Sequence, residues 1–390
     1  MKSMQAGKGP LHGFRIVEIA GIGPGQFCGM LLADMGADVL RVVRPDDSAD
    51  GITIPPEANL MNRGRQMLAA DLKTDTGKAL VLGLCRHADA LFEGFRPGVM
   101  ERLGLGPADC QAVNARLIYG RMTGWGQDGP LAGNAGHDGN YLARAGALHA
   151  IGERDGLPVL PLNLVGDFGG GGAFLALGML AALLEASRSG KGQVVDAAMV
   201  DGIASLMTLF HGLQSAGLWR DARGSNFLDG GAPFYRCYRT ADDKAVVVCA
   251  LENRFFRELL DVLGTDEIDG NDQYREDLWP RQTECLARVF ASRTRDDWSA
   301  RFADTDACVS PVLNLDEARN DAHLAARQTF IDVDGVVQPA PAPRFSRTPG
   351  RIRCAPGAAP SDPRSALRDW GLEPDAITEL MDGGARPAAH

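Results

Sequence analysis

Seven histidines occur in the 390-residue chain, and His137 has the setting best suited to proton transfer. It stands in Gly136-His137-Asp138-Gly139, a loop that follows the turn-rich residues 124–133. Imidazole exchanges its proton near neutral pH, and a loop between glycines offers a side chain to a ligand. The other six histidines fall in helical, terminal or apolar contexts. A surface or structural histidine accounts for the same residues equally well. Asp167, in Gly166-Asp167-Phe168 ahead of four glycines and an apolar run, is the second candidate. An aspartate there serves as an N-cap for orphan N–H groups. The same geometry serves catalysis, because a carboxylate beside free N–H groups can act on a substrate whose oxyanion they stabilise. On this reading, bare glycines let the substrate approach the backbone. Glu252, just after Ala250-Leu251, either orients a histidine or is a surface carboxylate.

The cations fall into three groups beside Gly or Pro: Arg41 with Arg44, Arg63 with Arg65, and Arg96 in Gly94-Phe95-Arg96-Pro97-Gly98. They are either solvated arginines or a shared site for an anion. The turn Gly21-Ile22-Gly23-Pro24-Gly25 is not a dinucleotide fingerprint, because the third glycine of G-x-G-x-x-G is replaced by Gln26. Where a ribose-binding acid belongs, the sequence has Arg41 and Arg44, which suit phosphate better.

The elements that must position these residues alternate. The spacing predicts a strand over 14–20, a helix from about 27 to 35 and a strand over 39–43. A helix at 76–87, strands at 90–93 and 116–122 with a short helix at 107–114 between them, and an apolar helix at 173–186 continue the pattern. This is the opening of a doubly wound α/β domain. A hairpin at 234–240 and 244–250 with amphipathic helices after it predicts a smaller α+β domain. The stretch 338–363 holds seven prolines and reads as an extended crossing, followed by a last helix at 374–381.

Composition excludes whole classes. A formal charge of −10 argues against a nucleic-acid or membrane-surface partner. Eight scattered cysteines without C-x-x-C imply free thiols in a reducing compartment. No cluster has metal-ligand spacing, and neither G-x-S-x-G nor a P-loop is present. Residues 1–10 hold no apolar stretch of a secretory signal, and the tail ending Ala389-His390 shows no peroxisomal or lipidation signal. The longest apolar run, 173–184, falls short of the ~20 residues of a membrane span and reads as a buried helix. The expectation is a soluble, cytoplasmic protein.

Taken together, these residues resemble family III CoA-transferases, and within them the α-methylacyl-CoA racemases. The carriers of the resemblance include Gly23-Pro24-Gly25, Asp34-Met35-Gly36-Ala37-Asp38-Val39, Asp71-Leu72-Lys73, Gly94-Phe95-Arg96-Pro97-Gly98 and Met122-Thr123-Gly124-Trp125-Gly126. Gly136-His137-Asp138, Asn163-Leu164-Val165-Gly166-Asp167-Phe168-Gly169-Gly170, Leu228-Asp229-Gly230-Gly231-Ala232-Pro233 and Ala342-Pro343-Arg344-Phe345 follow in order. The resemblance implies an α/β fold: a Rossmann-like large domain plus a smaller α+β domain, in an interlocked homodimer. The expected large domain is 1–199 completed by 335–390, with a linker arm at 200–227 and the small domain at 228–334. It implies a 2-methylacyl-CoA racemase working through an enolate, with His137 and Asp167 as the two acid/bases. The resemblance further implies that Glu252 supports His137, with Asp138 as a secondary partner and the N–H of Asp167 among the oxyanion donors. The alternative is a CoA-transferase with Asp167 as acyl-accepting nucleophile. Arg44, Arg65 and Arg96, with Arg63 and Arg41, are expected on the CoA phosphates. No metal and no cofactor beyond substrate CoA is implied. One departure is the turn Asp242-Asp243, which lacks a glycine often found there.

Overall fold

A computed structural model describes residues 8–45, 54–356 and 362–387. The start of the chain up to residue 7, residues 357–361 of the proline-rich stretch and the tail Ala389-His390 lie outside the described residues. The chain divides into two compact units. The first holds the described residues up to Ala145, then Leu162–Leu206 and everything described from Gln328 onward. The second holds Gly146–Pro161 and Met207–Arg327.

In the first unit, β1 (Arg15–Ile19), β2 (Asp38–Val43), β3 (Gln66–Ala69), β4 (Ala90–Glu93), β5 (Ile118–Thr123) and β6 (Val194–Ala198) form one parallel sheet. The strands read as apolar runs because helices cover both faces of such a sheet. The order is β3-β2-β1-β4-β5-β6. The chain therefore leaves β1 toward one side and returns at β4 on the other, opening a crevice at the carboxyl ends of these two strands. The glycine turn after β1 and the loop 94–98 after β4 flank it. Helix α1 (Pro24–Asp34) starts from the turn with Pro at its first position, where the missing N–H costs nothing. Helix α2 (Asp75–Cys85) starts from Thr74, whose Oγ1 accepts the Gly77 N–H at 3.0 Å. β3 has no counterpart in the sequence reading, because Gln-Met-Leu-Ala is short and carries no β-branched residue.

A helix from Leu164 to Ser189 also differs from expectation. Its first part, Leu164–Ala173, has π geometry, and Phe174–Ser189 continues it as an α-helix. Four glycines are poor helix formers, and packing overrides that propensity here. A Cβ on Gly172 would lie 2.5 Å from the Pro24 carbonyl oxygen, and one on Gly170 2.9 Å from the Ile203 nitrogen. A side chain on Gly202 would strike the Gly170 carbonyl. The glycine run thus lets α1 and the helix Met199–Leu206 approach one helix at backbone distance. The whole helix is 26 residues long and apolar enough, by length and composition, to cross a membrane. It lies against β5 and β6 with Leu175, Met179 and Leu183 buried, as the core helix of an α/β layer.

The second unit carries β7 (Tyr235–Arg239), β8 (Ala245–Cys249) and β9 (Val309–Pro311) in one antiparallel sheet. The helices Asn253–Leu263, Trp279–Phe290 and Arg295–Phe302 pack on it around Phe234, Tyr238, Phe256, Trp279, Phe290 and Trp298. At the hairpin tip Asp243 takes φ 62°, the left-handed conformation that aspartate tolerates where glycine is absent.

The chain then returns to the first unit. β10 (Phe330–Val333) and β11 (Val336–Pro339) form a hairpin. Leu367, Trp370, Ile377 and Leu380 join the core under β1 and β4, and β12 (Arg386–Pro387) covers the free edge of β3 antiparallel. These boundaries differ from the expected ones. Met199–Leu206 stays with the first unit because Gly202 locks it to Gly170. Residues 146–161 join the second, where Arg154 Nε donates to the Gly224 carbonyl at 3.0 Å and Arg223 grips that of Gly156.

Candidate active site

Beyond β5 the chain runs through a glycine-rich loop into the short helix Asp138–Arg144, for which His137 is the N-cap. The His137 backbone N–H donates to Asn140 Oδ1 at 2.9 Å, and its side chain is exposed. The next residue turns the other way. Asp138 is 7% exposed, and its Oδ1 accepts the Asp167 backbone N–H at 2.8 Å. Gly166 makes this approach possible, since a side chain there would strike Asp138 Oδ1.

The Asp167 carboxyl is held by Asn163, whose Nδ2 donates to Oδ2 at 3.1 Å. It also faces the turn after β1, where a Cβ on Gly23 (φ 65°) would come within 3.1 Å of Oδ2. Burial raises its pKa from the ordinary aspartate value and the charge of Asp138 adds to this, while the Asn163 hydrogen bond and His137 oppose it. His137 and Asp167 are therefore within electrostatic reach of each other. Tyr141, one helical turn beyond His137, donates its hydroxyl to the Gly136 carbonyl and stacks edge-on against Trp125 at 4.8 Å. Its pKa is raised by burial and by Asp167, and lowered by Arg96. Hydrogen bonds and chain adjacency thus join His137, Asp138, Asn163 and Asp167, while the charges of Asp167 and Arg96 both act on Tyr141.

Two expectations about Asp167 are corrected. It is not an N-cap but the fourth residue of the π-helical segment, whose first bond runs from the Phe168 N–H to the Asn163 carbonyl at 3.3 Å. Its own N–H is committed to Asp138, so it is not a free oxyanion donor. Nor do Gly170, Gly171 and Gly172 face a ligand. All three are buried against α1 and the helix Met199–Leu206.

The arginines separate sharply. Arg44 and Arg96 are exposed. Arg65 is fully buried and paired with Glu18, and its Nη2 donates to Asn62 Oδ1 at 3.1 Å. Arg41 pairs with the other oxygen of Glu18 at 3.1 Å and donates to Asn62 Oδ1 and the Gly21 carbonyl at 2.6 and 2.9 Å. Arg63 pairs with Asp34 at 2.6 Å and donates to Gln338 Oε1 and the Pro339 carbonyl. The expectation that Arg41, Arg63 and Arg65 hold phosphates is therefore revised, because each guanidinium is turned inward onto a buried carboxylate. Glu252 lies in the second unit, exposed, as N-cap of Asn253–Leu263. No group of three His, Cys, Asp or Glu among the described residues is placed to hold a metal ion.

Asn163 and Tyr141 were missed in the sequence as site residues. The signal was helical spacing: Asn163 lies four residues before Asp167, whose carboxyl it holds, and Tyr141 lies four residues after His137.

The model of CoA-transferase family III matches residues 11–360. Alpha-methylacyl-CoA racemase from Mus musculus is 44% identical over 95% of this chain and 96% of its own. The Homo sapiens racemase is 45% identical over 87% of each chain. Among solved structures, a CAIB/BAIF family protein from Brucella suis superposes with a TM-score of 0.80 at 26% identity, over 93% of this chain and 100% of its own.

Proposed function

The chain belongs to CoA-transferase family III, and from that premise we propose that it is a racemase interconverting the (2R) and (2S) epimers of 2-methylacyl-CoA thioesters. The observation that supports the reading is the link through Asp138, which follows His137 directly and whose Oδ1 accepts the Asp167 N–H at 2.8 Å. Asp167 has a raised pKa, and His137 stands within its field. A transferase needs the carboxyl alone. Inversion needs one group to take the α-proton and another to return a proton to the opposite face.

In the proposed reaction one of the pair removes the proton from the α-carbon, and the C–H electrons move onto the thioester oxygen. The enolate collapses when the other group delivers a proton from the far side. Nothing is oxidised or reduced, so the chemistry calls for no redox group, and CoA arrives as part of the substrate. Burial moves the Asp167 carboxyl toward the range in which it can both accept and donate. Asp138 fixes the backbone of Asp167 and follows His137 directly, so one buried carboxylate sets the spacing of the pair. Exposed Arg44 and Arg96 are assigned to the CoA phosphates. Following the family resemblance, an interlocked homodimer is the assembly proposed, with Glu252 assigned to support His137 within it.

The test is α-proton exchange in D₂O over a panel of 2-methylacyl-CoA thioesters. Both epimers should acquire deuterium, and His137→Ala should suppress exchange from one epimer by about 10²- to 10⁴-fold. Asp167→Asn should suppress the other. Exchange that survives loss of both groups sinks the mechanism. A hydroxylamine-sensitive acyl adduct on Asp167, formed with His137 dispensable, establishes the transferase instead.

A further inference from the structure

β4 ends in Glu93, a carboxylate only 1% exposed in an otherwise apolar strand. Its Oε2 accepts the Phe95 N–H at 2.7 Å, which bends the chain at the entry to the loop 94–98. Its Oε1 accepts Arg121 Nε at 3.2 Å. Arg121 stands directly beside Glu93 in the parallel register of β4 and β5. The far edge of the same guanidinium donates to Glu101, with Nη1 at 2.8 Å from Oε1 and Nη2 at 3.3 Å from Oε2. Glu101 lies on the helix Val99–Arg102, which starts from Gly98 at φ 79° as the loop ends. One planar guanidinium therefore grips both ends of a loop, a task for which a flexible ammonium is poorly shaped.

The loop presents Arg96 at its middle, exposed, its guanidinium without a hydrogen bond or ion pair among the described residues. Its charge is felt at Tyr141, which also feels Asp167. A buried ion cluster is a poor way to gain stability, because apolar residues of equal volume stabilise as much or more. Its advantage is geometry. We propose that Arg121, bridging Glu93 and Glu101, is a positioning residue that holds the loop so that Arg96 meets the phosphates of CoA. This rests on the assignment of Arg96 as a phosphate ligand.

The test is calorimetric titration of the full chain with free CoA, backed by the KM and kcat of α-proton exchange. Arg121→Met should weaken CoA about tenfold, the size of one lost charged contact, and raise KM far more than it lowers kcat. Arg96→Ala should weaken CoA comparably, and the double variant should be no weaker than Arg96→Ala alone. Glu101→Gln cuts one arm of the clamp at a half-exposed position, and it should weaken CoA in the same direction even if Arg121→Met does not fold. Losses that add in the double variant, or unchanged CoA affinity in Glu101→Gln or Arg96→Ala, overturn the proposal. Absent α-exchange with this coupling intact would sink the racemase reading and leave the clamp standing.

Discussion

The two sides of the crevice between β1 and β4 use arginine in opposite ways. On the β1 side, Glu18 at the end of the strand and Asp34 at the end of α1 draw Arg41, Arg65 and Arg63 inward. On the β4 side an arginine from the neighbouring strand, Arg121, satisfies Glu93 and Glu101, and Arg96 remains at the rim. All of these except Arg121 looked alike in sequence, each close to Gly or Pro. What separates them is whether a buried carboxylate lies within reach, since a buried acid must be paired. The floor is built from ion pairs, and the rim from guanidiniums that have no ion pair among the described residues.

The largest effect that this contrast predicts lies in the floor. Arg65→Met leaves Glu18 buried with half its pairing gone, and should cost about 3–5 kcal/mol of folding stability. Arg44→Ala at the rim should change stability by less than about 0.5 kcal/mol while weakening CoA. Urea denaturation and CoA titration on the two variants decide it. If Arg65→Met keeps its stability and loses CoA, the division between floor and rim is wrong.

The glycines divide the same way. Gly172→Ala drives a methyl group onto the Pro24 carbonyl and should cost about 1–3 kcal/mol through overpacking. At Gly169 a new Cβ meets only Leu164 O at 3.1 Å and Leu206 Cδ1 at 3.5 Å, while alanine gains helix propensity. Gly169→Ala should therefore stay within about 1 kcal/mol of the wild type. Equal losses at both positions would show that the run is not a packing face.

Much of this architecture was legible. The alternation of apolar runs with glycine turns gave β1, β2, β4, β5 and the hairpin of β7 and β8, because periodicity is a local property. The histidine and the aspartate were suggested as a pair only through the family resemblance, and the structure adds that Asp138, expected beside His137, also accepts the Asp167 N–H. Two things were not readable. The glycine run read as a place for a substrate to approach the backbone, because the Pro24 and Gly202 backbones that explain it come from distant segments. The fate of each arginine was hidden for the same reason. Arg65 is decided by Glu18, 47 residues away, and local sequence carries no trace of that pairing.

The smallest effect is a change of slope on the β4 side. Burial pushes the Glu93 pKa from 4.5 up to about 7, and the charge of Glu101 adds to this, while the Phe95 N–H and Arg121 pull it down. Tyr119 also faces it, with a pKa raised by burial and by the Glu93 charge. The folded state therefore holds this proton more tightly than the unfolded chain. The stabilisation from proton uptake is fully present below about pH 4.5 and is lost as the pH rises through about 7. In Glu93→Gln the group no longer titrates, so the stability of this variant relative to wild type should rise across that window. Urea denaturation at pH 5 and pH 8 measures it. Parallel pH profiles for the two proteins would mean that Glu93 stays ionised in the fold, held by the Arg121 guanidinium from the neighbouring strand.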